Sequence, residues 1–433
     1  MLETIRNAWK VQEIRQKLIF TAFALLVFRL GTAVPVPFIN TDALRAYFDA
    51  ASTSILGMMN VMSGGAFGTG TVFALSIQPY INASIIIQLL TVAIPALERL
   101  AKEGGEEGKR KIERITRFTT LAIALVQGFG YYTLLKSNAL LAETGIWAAI
   151  VIVASFTAGS VFVMWLGEQI TEFGIGNGIS MILFAGIISR IPSAVMYLIE
   201  GVKNSLAGVT AEGAVVVPVW ALPLVVIGTL ALVVFVVFIS GAERRIPVQY
   251  AKRVVGRKQY GGQSSKIPMK VNMSGVLPVI FAQTIASLPA TIAAFVPAWS
   301  DSGFMKVFDA NGVPYTVIYI LLIVGFSYFY STIQFNPIEV ANNLKSQGGF
   351  IPGFRAGRPT AEFLSRVLNR ITLFGALYLG VIALLPIITG NLIGVQALAI
   401  GGTSVLIVVS VALDTQKALD TQMIMRNYKG FLN

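Results

Sequence analysis

The sequence contains no cysteine and no histidine. Disulfides, thiolate nucleophiles and the commonest metal ligands are therefore excluded together. Charge is scarce: Asp, Glu, Lys and Arg make up 12% of the 433 residues, against roughly one quarter in soluble domains. Acids are the rarer sign, 21 against 33 Lys and Arg, which leaves a net charge of +12. Ionisable groups almost vanish from the long apolar runs. Arg29, Arg190 and Asp414 stand out as exceptions, and no carboxylate partner shares their depth. Pumps and secondary transporters keep such groups at mid-membrane for coupling, so no proton or ion relay is expected. Nucleotide motifs fail on context. In EGGEEGKRK (103–111) Lys109 is followed by Arg110 instead of Ser or Thr, and GIGNG (174–178) opens an apolar helix. No enzymatic activity, cofactor or metal is expected.

Hydrophobic residues make up 55% of the chain. They form continuous runs of the roughly 20 residues needed to cross a bilayer as helix. A β-barrel would alternate instead. The fold class is thus an all-α polytopic membrane protein. Ten spans are expected, at roughly 18–37, 76–97, 117–136, 146–166, 177–199, 218–240, 271–298, 314–335, 369–389 and 393–413. Five spans per half make an inverted duplication natural, because an odd-numbered copy inserts upside down. A faint echo between GISMILF (178–184) and GTSVLIV (402–408) agrees with it. No cleavable leader is expected, since the first run reaches Pro35 and Pro37 without a small-residue cleavage site.

The chain divides into four parts. Residues 1–17 read as a cytoplasmic amphipathic helix, with Ile5, Trp9 and Ile14 toward lipid and Arg6, Lys10, Arg15 and Lys17 toward phosphate. Residues 18–200 form the N-terminal half and 201–413 the C-terminal half, with long loops at 241–270 and 336–368; 414–433 form a tail. With the N-terminus inside, nearly all Lys and Arg fall on one side, which puts both termini in the cytoplasm.

Residues 52–75 (STSILGMMNVMSGGAFGTGTVFAL) are apolar but interrupted by Gly57, Gly64, Gly65, Gly68 and Gly70. Glycine weakens a helix interior by on the order of 1 kcal/mol against Ala. A half-helix that enters the membrane and turns back is expected. Such backbone survives only inside protein or beside a cavity.

The segment 241–270 carries Arg244, Arg245, Lys252, Arg253, Arg257, Lys258, Lys266 and Lys270 against the single acid Glu243. RRIPVQYA alternates loosely and Gly261-Gly262 can turn the chain, so a strand hairpin is expected there.

PYINASIIIQLL (79–90), WLGEQITEFGIGNGIS (165–180), ERRIPVQYAKR (243–253), KVNMSGVLPVIFAQ (270–283), FNPIEVANNLKSQGGFIPGFRAGRPT (335–360) and GGTSVLIVV (401–409) resemble the SecY family, the central subunit of the bacterial protein translocase. The resemblance implies ten helices in two inverted halves around a central pore. It implies a pore ring at Ile81, Ile85, Ile179, Leu183, Ile280 and Ile407, the pairs 81/85 and 179/183 sharing helix faces. It implies a re-entrant plug at about 55–72, including Met58, Met59, Val61, Met62, Gly64, Gly65 and Phe67. It implies a lateral gate between spans two and three and spans seven and eight, where Gln88, Gln127 and Gln283 are candidate seam residues. Docking is expected at Arg244, Arg245, Lys252, Arg253, Arg257, Lys258, Arg355 and Arg358. The implied partners are SecE, SecG, the SecA ATPase, the ribosome, the preprotein substrate and membrane lipids. The implied activity is passage of unfolded preproteins across the bacterial cytoplasmic membrane, with lateral release of transmembrane segments into it. A secondary transporter of a small solute is the alternative, which the bare spans and large basic loops disfavour.

Overall fold

Inside hydrocarbon, backbone polar groups must be satisfied by the protein itself, and a helix does so turn by turn. The computed structural model describes residues 6, 8–50, 60, 63–207, 217–250, 253–255, 258–260, 264–295, 312–393 and 402–429, and it is dominated by helix. The first half holds α1 (Gln12–Gly31), α2 (Thr41–Ala50), α3 (Gln78–Ala93), α4 (Pro95–Lys102), α5 (Gly105–Ser137), α6 (Ile146–Phe173), α7 (Gly178–Ile188) and α8 (Ile191–Leu206). The second half begins with α9 (Ala221–Gly241) and the strands β1 (Glu243–Tyr250), β2 (Arg253–Val255), β3 (Lys258–Tyr260) and β4 (Ser264–Lys270). It continues with α10 (Leu277–Phe295), α11 (Val313–Gln334), α12 (Pro337–Ser346), β5 (Gly349–Phe350), α13 (Arg358–Ile393) and α14 (Gly402–Lys429). Among the described residues six helices are long and apolar enough to cross a membrane, or seven if the bent α3–α4 pair is one span. Helix also occupies the remaining expected segments, in keeping with ten. There α1 carries Glu13, Arg15, Lys17 and Arg29, α10 is apolar over Leu277–Pro289, and α14 runs on into a polar tail.

Prolines set the breaks. The residue before a proline is pushed out of the helical region, and Ile94 before Pro95 is extended (φ −107°, ψ 112°). The chain bends there by 105°, so the second segment stops at Ala93, short of 97. The fifth segment is also divided: α7 ends at Ile188 and α8 starts at Ile191, with a proline in its first turn. Asparagines start two helices. Asn177 Oδ1 accepts from the Ser180 N–H at 3.1 Å, and Asn336 Oδ1 accepts from Ile338 and Glu339 ahead of α12.

Three expectations are corrected, the first in part. Of the half-helix expected at about 55–72, residues 55–59, 61 and 62 lie outside the described residues and Asn60 is helical, but 63–77 is a succession of turns. Gly64, Gly65 and Gly70 take positive φ there (68°, 93° and 59°), which a right-handed helix does not accommodate. Ile14 does not face lipid: it is 4% exposed, in a small core with Ala8, Ile175 and Leu419. The N-terminal segment is thus packed on the α6–α7 joint and on the extension of α14, while Trp9 stays 51% exposed. The hairpin forms, but it reverses between Val255 and Lys258. β1 pairs antiparallel with β4 from Glu243↔Lys270 to Gln249↔Ser264, and β2 pairs with β3 in the same continuing register, Arg253↔Tyr260. Gly261 and Gly262 lie outside the described residues.

Two close approaches lock the first half. A Cβ on Gly159 of α6 would fall 2.0 Å from the Val72 carbonyl oxygen, and one on Gly178 would fall 2.0 Å from that of Gly167. We predict that Gly159→Val destabilises the protein by roughly 3 kcal/mol, the upper part of the range for overpacking. Thermal melting in detergent micelles checks it, with an unchanged midpoint counting against this contact.

Candidate functional site

Aliphatic residues converge where α3, α7, α10 and α14 meet. One buried cluster holds Ile81 and Ile85 of α3, Leu183 of α7, Ile280 of α10 and Ile407 of α14, with Ile179 half-buried and packed against it. All six expected ring positions thus belong to, or pack against, one larger cluster drawn from both halves of the chain. Helical spacing explains it for α3: positions 81 and 85 share a face, whereas Ile86 turns outward. The same cluster takes in Phe73 and Ile77, the end of the non-helical 63–77 segment.

That segment is a compact knot. Gly65 N–H donates to the Asn60 carbonyl (2.8 Å), Gly68 N–H to Asn60 Oδ1 (2.7 Å) and Phe67 N–H to Ser63 Oγ (3.0 Å). Val72 N–H reaches the Val34 carbonyl, and Val36 N–H the Gly70 carbonyl. Phe67 does not join the aliphatic ring. It sits in a second cluster with Val36, Leu44, Phe48 and Phe156. It stacks on Tyr131 at 4.4 Å, and the Tyr131 hydroxyl donates to the Phe67 carbonyl. Met58, Met59, Val61 and Met62 lie outside the described residues.

Polar ties between the halves are few. The Tyr330 hydroxyl of α11 donates to Gln88 Oε1 of α3, and Gln88 Nε2 donates to Ser84 Oγ at 3.2 Å. Tyr330 is itself part of the aliphatic cluster and packs on the Phe281 ring at 5.2 Å. On another face Thr415 Oγ1 of α14 lies 3.5 Å from Met181 Sδ of α7. Gln127 of α5 is half-buried, and among the described residues its Oε1 has no hydrogen-bond partner. Gln283 lies half-buried on α10.

The basic loops fold onto one another. β4, β1 and β5 form a sheet in that order. Ile246 and Val248 point from β1 into a core with Met269, Leu344, Ile351, Leu364 and Leu368, while Arg244 and Arg245 stay exposed. Arg245 lies 3.7 Å from Glu243, and Arg358 pairs with Glu362 at 3.1 Å. Such exposed pairs add little stability. Arg355 projects from a fixed turn. Its carbonyl accepts from Thr360 Oγ1 (2.8 Å), the neighbouring Phe354 stacks on Phe363 at 4.2 Å, and Gly353 and Gly357 turn the chain on either side with φ 89° and 106°. Arg253 and Lys258 lie in β2 and β3, whereas Lys252 and Arg257 lie outside the described residues.

Sequence reasoning passed over Tyr131 and Tyr330 and left Arg29 without a role. A lone aromatic in an apolar helix carries no mark of its partner, so only the fold exposes these contacts.

A model of the SecY family matches residues 71–416. The chain belongs to the SecY family. It is 44% identical over 448 residues to the protein translocase subunit SecY of Streptomyces scabiei, which it covers completely and by which it is completely covered. Among solved structures it is similar to one described as a protein conducting channel, with TM-score 0.67 and 19% identity over 95% of this chain and 93% of that one. It is also similar to Sec61 in the canine ribosome–channel complex from the endoplasmic reticulum, with TM-score 0.62 and 17% identity over 95% and 93% of the two chains. A SecY-family chain is a multi-pass membrane protein, and the apolar helices here accord with that. A solute transporter is not favoured.

Tyr131→Phe removes the donor to the buried Phe67 carbonyl. It should loosen the 63–77 segment by about 1–3 kcal/mol, the usual cost of a stranded polar group. Faster amide exchange at residues 65–71 is the expected result, and unchanged exchange would refute it.

Proposed function

We propose that the chain is a protein-conducting channel whose waist is formed by six aliphatic residues within one larger buried cluster. The observation that carries the reading is the meeting of Ile81, Ile85, Ile179, Leu183, Ile280 and Ile407 from both halves in one cluster. Aliphatic walls offer neither charge nor hydrogen bonds, so an unfolded passenger finds nothing to hold it. When empty, such a constriction sheds water and resists ions. The 63–77 knot borders the waist through Phe73 and Ile77 and serves as its plug. Passengers are unfolded preproteins. Their apolar segments leave sideways between α3–α5 and α10–α11, a seam spanned by the Tyr330–Gln88 hydrogen bond.

The charge asymmetry supports insertion in the bacterial cytoplasmic membrane with both termini inside. The sheet, α12 and the Arg355 turn then face the cytoplasm as one basic platform. Arg244, Arg245, Lys252, Arg253, Arg257, Lys258, Arg355 and Arg358 are its docking residues, for the SecA ATPase or for ribosomal RNA, whose phosphates favour cations. SecE and SecG are the small subunits that complete the complex. Reconstitution in liposomes tests the whole reading: import of a preprotein on addition of SecA and ATP is expected, and its absence overturns it.

Two changes probe the parts. Ile81→Gly together with Ile407→Gly opens the waist from both halves and should raise resting ion conductance in planar bilayers at least about tenfold, the effect of roughly 1.4 kcal/mol. Unchanged conductance would remove the cluster from its role. Arg355→Glu should abolish ATP-driven import while leaving assembly with SecE intact, and normal import would overturn the docking assignment.

A further inference from the structure

Two of the few cations far from the basic loops close on two consecutive glycines. Arg29, in the last turn of α1, directs Nη1 to the Gly64 carbonyl oxygen (3.3 Å), to Ser189 Oγ (3.3 Å) and to Thr32 Oγ1 (3.4 Å). Ser189 stands at the break between α7 and α8 and anchors itself on the Gly186 carbonyl at 2.7 Å. Arg190, its neighbour, lies so close that a Cβ on Gly65 would fall 2.9 Å from Arg190 Nη1. The fit also uses the backbone. Gly64 and Gly65 have φ of 68° and 93°, and a Cβ on Gly64 would lie 3.1 Å from the Gly186 Cα. Any side chain there lifts the turn off α7.

The hydrogen bonds given for the turn fall into two groups. Those of Gly65, Phe67 and Gly68 close on Asn60 and Ser63, within the segment. Others run outward: Val36 N–H and Val72 N–H pair the segment with the Val34–Val36 stretch, Ser160 reaches the Ser76 carbonyl, and at the glycine turn itself Tyr131 donates to the Phe67 carbonyl and Arg29 to the Gly64 carbonyl. Arg29 therefore ties α1, the 63–77 segment and the α7–α8 break together through one nitrogen. Its partners here are uncharged oxygens.

We propose that Arg29, seated beside Arg190, is a latch that holds the plug segment in its resting position through the Gly64 carbonyl, and that the latch is released when the segment moves. The proposal rests on reading 63–77 as the plug.

The native chain has no cysteine, so a Thr69→Cys background reports the segment alone. Thr69 is half-buried on the knot, outside the Arg29 contact. In the reconstituted complex, alkylation of that thiol by a membrane-impermeant maleimide and resting ion conductance are measured together. Arg29→Gln should raise both about fivefold, the effect of one lost hydrogen bond, and Arg29→Lys should raise them less. If alkylation rises and conductance does not, the latch stands and the plug reading falls. If alkylation is unchanged in Arg29→Gln, the latch is overturned. Should Arg29→Gln fail to fold, Ser189→Ala removes a second acceptor of the guanidinium, and a smaller rise of the same sign is then required.

Discussion

Irregular backbone inside a membrane bundle is the constraint on which the rest depends. Each unpaired N–H or C=O in hydrocarbon costs several kcal/mol, yet residues 63–77 sit among the helices as turns. The chain solves this from within and from its neighbours. Asn60 and Ser63 satisfy the donors of residues 65 to 68, residue 71 bridges to Pro35, and Tyr131 and Arg29 cap two carbonyls. Helices α1, α5, α6 and α7 must then stand around the segment to exclude lipid. The fold of the first half follows from sheltering it, and glycines at 159 and 178 permit the close packing that the shelter needs.

Among the described residues the second half shows no such run of turns between its helices. Its core gathers Tyr315, Tyr319 and Ile323 of α11 with Tyr378, Leu379 and Ile382 of α13 and Val405, Leu406 and Val409 of α14. These faces are largely apolar and share one core. Among the described residues it meets the first half through the aliphatic cluster, the small core of Ile14, Ile175 and Leu419, the Tyr330–Gln88 hydrogen bond and the Thr415–Met181 contact. Dispersion across such a boundary is lost gradually as helices part, and few polar groups are stranded. A seam of this composition parts more cheaply than one laced with buried ion pairs, whose separation costs several kcal/mol each.

Composition and spacing were enough to read the class, the helical segments and the basic loops. Long apolar runs leave no other fold, and eight cations between two of them mark a loop on the basic side. The meeting of the six aliphatic residues was legible only through family resemblance, because a single isoleucine in an oily helix looks the same facing lipid or facing a partner. Local rules located the breaks imperfectly. Pro95 is visible in the sequence, but the size of the bend it permits, 105°, is not. Ile14 looked lipid-facing on periodicity, yet Ile175 and Leu419, distant in sequence, cover it. The glycines of the plug showed that a regular helix was strained there; which turns replaced it was set by Asn60 and by the arginines beyond.

The basic face and the waist follow opposite physical demands, and their separation along the chain is what lets one protein meet both. On the reading proposed above, a docking surface gains from fixed charge, and Arg355 rides on a turn pinned by Thr360 and by the Phe354–Phe363 stack. A passage gains from having none, since any fixed donor at the waist would bind the amides that stream past it. The charges stay on a sheet and a turn built around their own apolar core of Ile246, Val248, Met269 and Leu364. That core is separate from the cluster at the waist, so the platform can be pushed or bound by a partner without importing polar groups into the passage. α13 links the two levels, since it carries Leu364 and Leu368 in the platform core and Leu379 and Ile382 in the core of the second half. One continuous helix thus connects the core under the sheet to the core of the second half.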